Sequence, residues 1–429
     1  MKVVQIGAGN IGRSFVGQLF SRAGYEVVFI DVDEAVVNAL NARREYSVEI
    51  RDREPQTLVI RNVRGVNGRA VAACAEELAT ADIAATAVGP GALPHIYPTL
   101  ARGLERRAEL GRGPLDVIIA ENLRDAADHF RQGLRAHLPP GFPLEEHVGL
   151  VETSIGKMVP IMPDEVRRQD PLLVYAEAYN TLILDARAFK NPIPTVTGLD
   201  PRQNMKAYVD RKLFVHNCGH ALAAYLAHLE APEAIYTYEA VEHHTVGPAV
   251  RAGMWESGRA LIAEYPDEFS EANIGAHIDD LLRRFANRAL GDTIYRVGRD
   301  VRRKLSRDDR LVGALRLDAR RGVPAPMTTL TTAAAMFFRA TDEHGQPYGP
   351  DRELADAVAA RGPEFVLHEV CGLGPEDEPV ARRIVTAYEF ITERLESEPA
   401  RITDFAWKGG GPGQRHPPSI PPCPRTARA

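Results

Sequence analysis

The stretch from Arg211 to His220, R-K-L-F-V-H-N-C-G-H, sets a lysine, an amide and an imidazole close together. Lys212 is followed five positions on by Asn217 and three further by His220. At about 100° per residue on an α-helix, Lys212 and His220 stand roughly 80° apart and Asn217 about 60° beyond His220, so one face carries all three. These groups suit chemistry on a carbinol or a carbonyl. A lysine buried beside Leu213 and Phe214 loses hydration of its charged form, and its pKa falls towards that of a working general base. An amide N–H can then stabilise the alkoxide that forms. Taken alone, the trio also fits a solvated lysine, a structural amide and a core histidine, so the elements around it decide.

A chain of 429 residues is longer than one ordinary core supports, and two domains are expected. With 45% hydrophobic, 26% charged and 7% aromatic residues the composition is that of a globular protein. A net charge of −6 argues against a nucleic-acid or anionic-membrane binder. The four cysteines, Cys74, Cys218, Cys371 and Cys423, form no C-x-x-C pair, which fits a reducing compartment without a disulfide framework. Met1-Lys2-Val3 runs directly into an apolar strand, and no apolar run approaches the ~18 residues of a membrane span. A cytoplasmic protein is the expectation.

The N-terminal part carries the second chemical motif. Residues 2–6, K-V-V-Q-I, predict a buried strand, followed by G-A-G-N-I-G with Gly7, Gly9 and Gly12. Ile11, Phe15, Val16, Leu19, Phe20 and Ala23 fall at helical spacing, with Gly24 as the stop. Glu26 to Ile30 then predicts a second strand ending at Asp31. In such a β-turn-α-β unit Gly7 permits the tight turn, Gly9 lets the backbone approach a pyrophosphate, and Gly12 lets helix and strand pack closely. Asp31 is placed to accept from ribose hydroxyls and to repel a 2′-phosphate, which favours NAD over NADP. Further strands are expected at Ile83–Val88 and Leu115–Ala120, each running into a turn at the carboxyl end where ligands gather. The expected cofactor site therefore comprises Gly7, Ala8, Gly9, Asn10, Ile11, Gly12, Asp31, Val88, Gly89 and Asn122.

Residues 147–163 predict another strand and a proline-limited turn, and Val174 to Asp185 an extended segment. Asn191-Pro192-Ile193-Pro194 marks the end of this domain, which spans 1–195. From 196 to 398 the apolar spacing becomes helical over Met205–Leu229, Ile235–Tyr265, Ile278–Leu290, Met327–Arg339 and Glu353–Val370. Residues 399–429, Gly/Pro-rich from Lys408 onward, are expected to be a disordered tail. The fold class expected is α/β: an N-terminal Rossmann-like doubly wound sheet with a mostly α-helical C-terminal domain. A basic run from Arg296 to Lys304 could hold an anionic or polyhydroxylated substrate or could be a solvated charged loop.

These pieces together resemble the polyol-specific long-chain dehydrogenases, most of all the branch that acts on mannitol 1-phosphate. The resemblance runs from residue 1 to about 395. It rests on Gly7–Arg13, Asn41-Ala42-Arg43, Thr86–Pro90, Ala120-Glu121-Asn122, Arg211–His220, Gly291–Asp300, R-K-L (Arg303-Lys304-Leu305) and D-R-L (Asp309-Arg310-Leu311). The family pattern K-x4-N-x2-H matches Lys212, Asn217 and His220. The resemblance implies that Lys212 is a metal-free general base, that Asn217 and Asn122 stabilise the oxyanion, and that His220 orients the substrate. It implies NAD-dependent interconversion of D-mannitol 1-phosphate and D-fructose 6-phosphate, with an unphosphorylated polyol or a hexuronate as alternative substrate. Arg299, Arg303 and Lys304 are the candidates for the substrate's anionic end. A small-molecule substrate, no nucleic acid or membrane partner, and a monomer or small homo-oligomer are expected.

Three departures stand out. Ile155-Gly156-Lys157-Met158-Val159-Pro160 replaces the family's V-D-R-I-V-P, so Gly156-Lys157 stands for an Asp-Arg pair. Leu182 falls in a segment, Glu177 to Leu182, where the family tends to carry a tryptophan, and His216 replaces an aliphatic residue. His216 and His220 have the i, i+4 spacing of a zinc-ligand pair, but Cys218 points away from both and no third ligand is evident. A nucleotide sensor without turnover is the non-enzymatic alternative, against which the intact trio argues.

Overall fold

The computed structural model describes residues 1–160, 162–396 and 402–405. Its N-terminal half is built on an eight-stranded sheet. The strands of the chain are β1 (Lys2–Ile6), β2 (Glu26–Asp31), β3 (Glu45–Ile50), β4 (Gln56–Arg61), β5 (Val63–Asn67), β6 (Ile83–Thr86), β7 (Leu115–Ile119), β8 (Val148–Ser154), β9 (Val174–Ala176), β10 (Leu182–Asp185) and β11 (Leu199–Arg202). The main sheet has the order β11-β10-β8-β7-β6-β1-β2-β5. β1 pairs in parallel with both β2 and β6, so the chain winds outward in two directions from β1 and leaves a crevice beyond its carboxyl end. β6, β7 and β8 are fully or almost fully buried, as continuous Val, Ile, Leu and Ala runs require when helices cover both faces of a parallel sheet. This is the doubly wound Rossmann-like domain expected.

Two features of this half depart from the sequence-based expectation. The extended segment expected over 174–185 is split between sheets. β10 runs antiparallel to β8, whereas β9 pairs with β3 in a separate three-stranded sheet, order β4-β3-β9. The hairpin of β3 and β4 was not anticipated; Gln56, Thr57 and Val59 on its outer strand are exposed, so its apolar pattern is weak. The sheet also runs on past the Asn191–Pro194 segment, because β11 adds to β10 in parallel.

The second half is helical, as expected. At its centre the Cys218–Glu230 helix is buried on every side from Cys218 to Ala227, apart from partly exposed His220. Val246–Glu264, Pro326–Ala334 and Ile294–Gly298 pack around it, and small residues (Ala221, Ala223, Ala224, Ala227) let those helices come close. Ile402–Asp404 forms a short 3-10 turn with Ile402 and Phe405 buried, and Thr403 donates to Glu230 through both its amide and hydroxyl. Lys408–Ala429, the Gly/Pro-rich part of the expected tail, lies outside the described residues. No helix among the described residues is long and apolar enough to cross a membrane.

Candidate functional site

The glycine-rich turn joins β1 to a helix whose first turns are wide. Gly7 has φ +93°, and a Cβ there would lie 2.4 Å from the Ala87 carbonyl oxygen. A Cβ on Gly12 would lie 2.1 Å from the Gly7 carbonyl oxygen, while one on Gly9 would meet nothing within 4 Å. Two glycines are thus demanded by the protein's own packing, and the third faces open space at the helix N-terminus. Residues Gly12–Gly17 form a π-turn before the α-helix Gln18–Arg22, so the expected helix is not α from its start. Asp31, at the end of β2, accepts from the Ala8 amide at 2.6 Å and the Asp33 amide at 2.9 Å. Its carboxylate therefore stands beside the turn that carries Ala8, Gly9, Asn10 and Ile11.

Beyond β6, the amides of Val88 and Gly89 donate to the two oxygens of Glu121 at 2.9 and 2.8 Å. Glu121 is buried, and desolvation raises its pKa despite those two bonds. Sequence reasoning placed Glu121 only within the motif Ala120-Glu121-Asn122. In the fold it ties the end of β6 to the end of β7 and so fixes the height of Asn122.

Asn122 meets Lys212. The Lys212 Nζ donates to the Asn122 Oδ1 at 2.8 Å, joining the sheet domain to the helical domain. Lys212 begins a π-turn, Lys212–Asn217, between the α-helices Met205–Arg211 and Cys218–Glu230, and the Cys218 amide reaches back to the Leu213 carbonyl. This corrects the α-helical spacing assumed from the sequence. In a turn closed by i→i+5 bonds, residues five apart come closer to one face than in an α-helix, so Asn217 lies nearer the Lys212 side than 3.6-residue geometry allows. Burial lowers the Lys212 pKa to about 8, with the positive Arg310 beside it adding to the effect. Among the described residues neither the Asn217 amide nor the His220 ring has a hydrogen-bond partner.

His220 stacks on Phe285, with ring centroids 4.1 Å apart, and lies 5.1 Å from the ring of His216. Burial drives the pKa of His220 down to about 3, and that of His216 well below its usual value, so both rings are neutral. Among the described residues no group of three or more His, Cys, Asp or Glu side chains converges in a way that could hold a metal ion.

The basic run is divided. Lys304 is buried and donates to the carbonyl oxygens of Val297 and Arg299, holding that loop from beneath. Arg303 is exposed and pairs with Asp300 and, at 3.6 Å, with Asp309. Arg299 is exposed over the Tyr295 ring, 5.8 Å from its centroid. Two cations that sequence reasoning did not single out also act on the site: Arg310, whose charge acts on both Lys212 and His220, and Arg296, whose charge acts on His220 after those of Arg284 and Lys304. Their only sequence signal was membership of the motifs that carry the resemblance.

Residues 1–198 match the family model described as the mannitol dehydrogenase Rossmann domain, and residues 204–391 match the mannitol dehydrogenase C-terminal domain. The chain belongs to the mannitol dehydrogenase family. Two solved structures share its fold along nearly the whole length. The Pseudomonas fluorescens mannitol 2-dehydrogenase ternary complex with NAD and D-mannitol is 16% identical, with 94% of this chain and 93% of that one covered and a TM-score of 0.69. A D-sorbitol dehydrogenase in substrate-free form is 15% identical, with 94% of each chain covered and a TM-score of 0.73. The mannitol dehydrogenase family thus supplies both halves of this chain, and the Lys212–Asn122 contact lies where the two halves meet.

Proposed function

We propose that this member of the mannitol dehydrogenase family transfers hydride between a polyol carbinol and NAD without a metal, interconverting D-mannitol 1-phosphate and D-fructose 6-phosphate. The observation that carries the reading is the 2.8 Å contact of Lys212 with Asn122, because a lysine with a pKa near 8 is a base at working pH. In oxidation the substrate hydroxyl gives its proton to the neutral Lys212 amine, the carbinol hydrogen leaves as hydride to the nicotinamide, and the C–O bond becomes a carbonyl. Asn122 and Asn217 donate amide N–H groups to the oxygen as charge builds on it. Neutral His220, held flat against Phe285, orients a neighbouring hydroxyl.

NAD is supported by the open space at Gly9, by the Asp31 carboxylate beside the turn, and by the NAD held in the mannitol 2-dehydrogenase complex. Backbone around Gly7, Ala8, Gly9, Asn10, Ile11 and Gly12 would receive the pyrophosphate, with Val88, Gly89 and Asn122 along the path to the nicotinamide. The phosphorylated substrate is supported by the cations whose charges act on Lys212 and His220, namely Arg310, Arg284, Lys304 and Arg296; Arg299, whose charge acts on Arg296, has no ion-pair partner among the described residues. Arg303 and Lys304 are engaged internally and would act by shaping the loop that presents Arg299. Oxidation of an unphosphorylated polyol is the second reading, favoured by the likeness to a mannitol 2-dehydrogenase and a D-sorbitol dehydrogenase.

The test is NADH oxidation by the purified protein with fructose 6-phosphate and fructose at matched concentrations. A strong preference for fructose 6-phosphate is expected; preference for fructose moves the assignment to the free polyol, and inactivity on every ketose tried removes the dehydrogenase reading.

A further inference from the structure

Beside Lys212 lies a small cavity bounded by Ser154, Gly156, Tyr179, Arg211, His277 and Arg284, among others. Its volume is about 10 Å³, room for one water or one oxygen of a larger group. The cations on its wall are treated unequally. Arg284 is buried and fully matched: it grips both oxygens of Glu177 at 2.8 and 2.6 Å, reaches Asp280 at 3.4 Å, and donates to the Gly156 carbonyl. Arg211 has no such partner. Its guanidinium lies against the rings of Tyr208 and Phe269, 4.8 and 5.6 Å from their centroids, and no carboxylate among the described residues pairs with it.

A half-buried guanidinium held only by ring faces carries a desolvation cost that no fixed anion offsets, and an incoming oxyanion would recover it. Burial accordingly lowers the pKa of Arg211. A second group is left unmatched next to it: the Nε2 of His277 is buried without a hydrogen-bond partner. His277 is neutral there, its pKa lowered to about 3 by burial and by the charges of Arg211 and Arg284. One ring nitrogen of the neutral imidazole is then a donor.

The third observation is the empty place itself. Gly156 stands where the resemblance leads one to expect an aspartate, and a Cβ at Gly156 would make only ordinary contacts, 3.5 Å or more from the Tyr179 ring. Packing does not demand glycine here. A carboxylate built at this position would lie on the wall of the same cavity as Arg211. Removal of the side chain leaves both the room and the unpaired charge to a ligand.

We propose that Arg211, the His277 ring and the space over Gly156 form a subsite for an oxyanion carried by the substrate itself, so that this chain acts on an anionic ketose or polyol, a sugar phosphate or a sugar acid. This deepens the dehydrogenase reading, rests on it, and moves the substrate's anionic end from Arg299 to Arg211. The anion enters one residue away from the base, so the charged group and the reacting carbon belong to one short carbon chain.

The experiment uses the full-length protein with NADH and three ketoses at matched concentrations: fructose 6-phosphate, a ketohexuronate such as D-fructuronate, and fructose. The wild type is expected to prefer one of the two anions over fructose, and which one separates phosphate from carboxylate. Gly156→Asp, which supplies a carboxylate from the protein, and Arg211→Met are each expected to lower the ratio of kcat/KM for that anion over fructose at least tenfold, mainly through KM. Arg211→Lys should restore part of the ratio. A wild type without anion preference, or variants that lower activity on anion and fructose equally, would overturn the subsite while leaving the dehydrogenase intact. If no ketose is turned over, the dehydrogenase reading fails, and calorimetric titration of fructose 6-phosphate and D-gluconate into the NADH-bound protein still reads the subsite. Binding weakened tenfold or more in Arg211→Met supports it, and no binding by the wild type overturns it.

Discussion

Asn122 and Lys212 stand ninety positions apart in the chain, and the Lys212 ammonium reaches the Asn122 amide oxygen at 2.8 Å across the junction of the two domains. Two residues away from each partner a second link is made: Arg124 reaches the Asp210 carboxylate at 3.4 Å and, further on, the Asp308 carbonyl at 3.0 Å. Asp210 is held in turn by Lys206 and Tyr265. The loop after β7 is therefore pinned to the helix that carries Lys212 at two points, through Asn122 and through Arg124.

Replacing Lys212 by alanine should lower turnover by about 10²- to 10⁴-fold while NADH still binds. The sign of the pH dependence follows from the value near 8. Oxidation needs the free amine, so kcat for polyol oxidation should rise with pH and level off above about 8. Reduction needs the ammonium, so kcat for the ketose should fall through the same range. Steady-state kinetics in both directions with fluorescence titration of NADH decides it; near-normal turnover of the variant sinks the mechanism.

Arg124→Ala should lower kcat about tenfold, since the substitution removes a charged hydrogen bond of roughly 1.5–3 kcal/mol whose strength is partly screened by solvent. The decrease should be much smaller in an Asn122→Ala background, because Arg124 acts by holding Asn122. A double-mutant cycle measures this directly. Equal decreases in both backgrounds would mean that Arg124 only stiffens the junction.

Asp31→Ser should raise the ratio of kcat/KM for NADPH over NADH by about tenfold or more, because it removes the charge that repels a 2′-phosphate. The ratio is read from initial rates with each cofactor under the same ketose. An unchanged ratio would take Asp31 out of the ribose site and leave it with its bonds to the Ala8 and Asp33 amides.

The share of stability that comes from two buried acids should fall as pH rises between about 4 and about 7, against the rise that the neutral rings of His216, His220 and His277 give. Asp318 is 1% exposed, both its oxygens lack partners, and burial raises its pKa far above 3.8, with the Glu256 charge adding to the effect. Burial also raises Glu256 to about 7, against the bonds it accepts from Met327 and Thr328. Each acid keeps a proton in the fold that the unfolded chain releases near 3.8 or 4.5, so its own contribution to stability is lost as pH climbs towards the folded value. Melting temperatures of wild type and Asp318→Asn at about pH 5 and about pH 8 test this. The variant should gain on the wild type at the higher pH, and an equal difference at both would exclude a buried neutral acid.

The doubly wound sheet was readable because parallel strands buried on both faces write themselves as short apolar runs, and Gly7, Gly9, Gly12 and Asp31 punctuate the first unit. The trio Lys212, Asn217 and His220 was picked out by residue type and by an α-helical spacing that the π-turn corrects. The partners were harder. Glu121 looked like one acid in a motif, and only the fold brings the Val88 and Gly89 amides to it. Arg211, Arg284 and His277 lie far apart in sequence or carry no pattern, so their shared cavity is a product of tertiary packing alone. The β3–β4 hairpin was missed because one of its strands faces solvent and lacks alternation. The π-turns were invisible because a window tuned to 3.6 residues per turn absorbs one additional residue without losing its stripe.

That additional residue has a consequence for how the site can change. A π-turn takes up a single inserted residue by widening, so the helices on either side of Lys212–Asn217 keep nearly the phase of one unbroken α-helix. Deleting one position between Leu213 and His216 would let the segment close into α form with both flanks nearly in place. Lysine and amide would then stand four apart, still on one face. A deletion in a regular stretch would instead turn one flank by about 100° against the other. The wide turn is therefore a place where chain length can vary by one residue without parting the lysine from the amide.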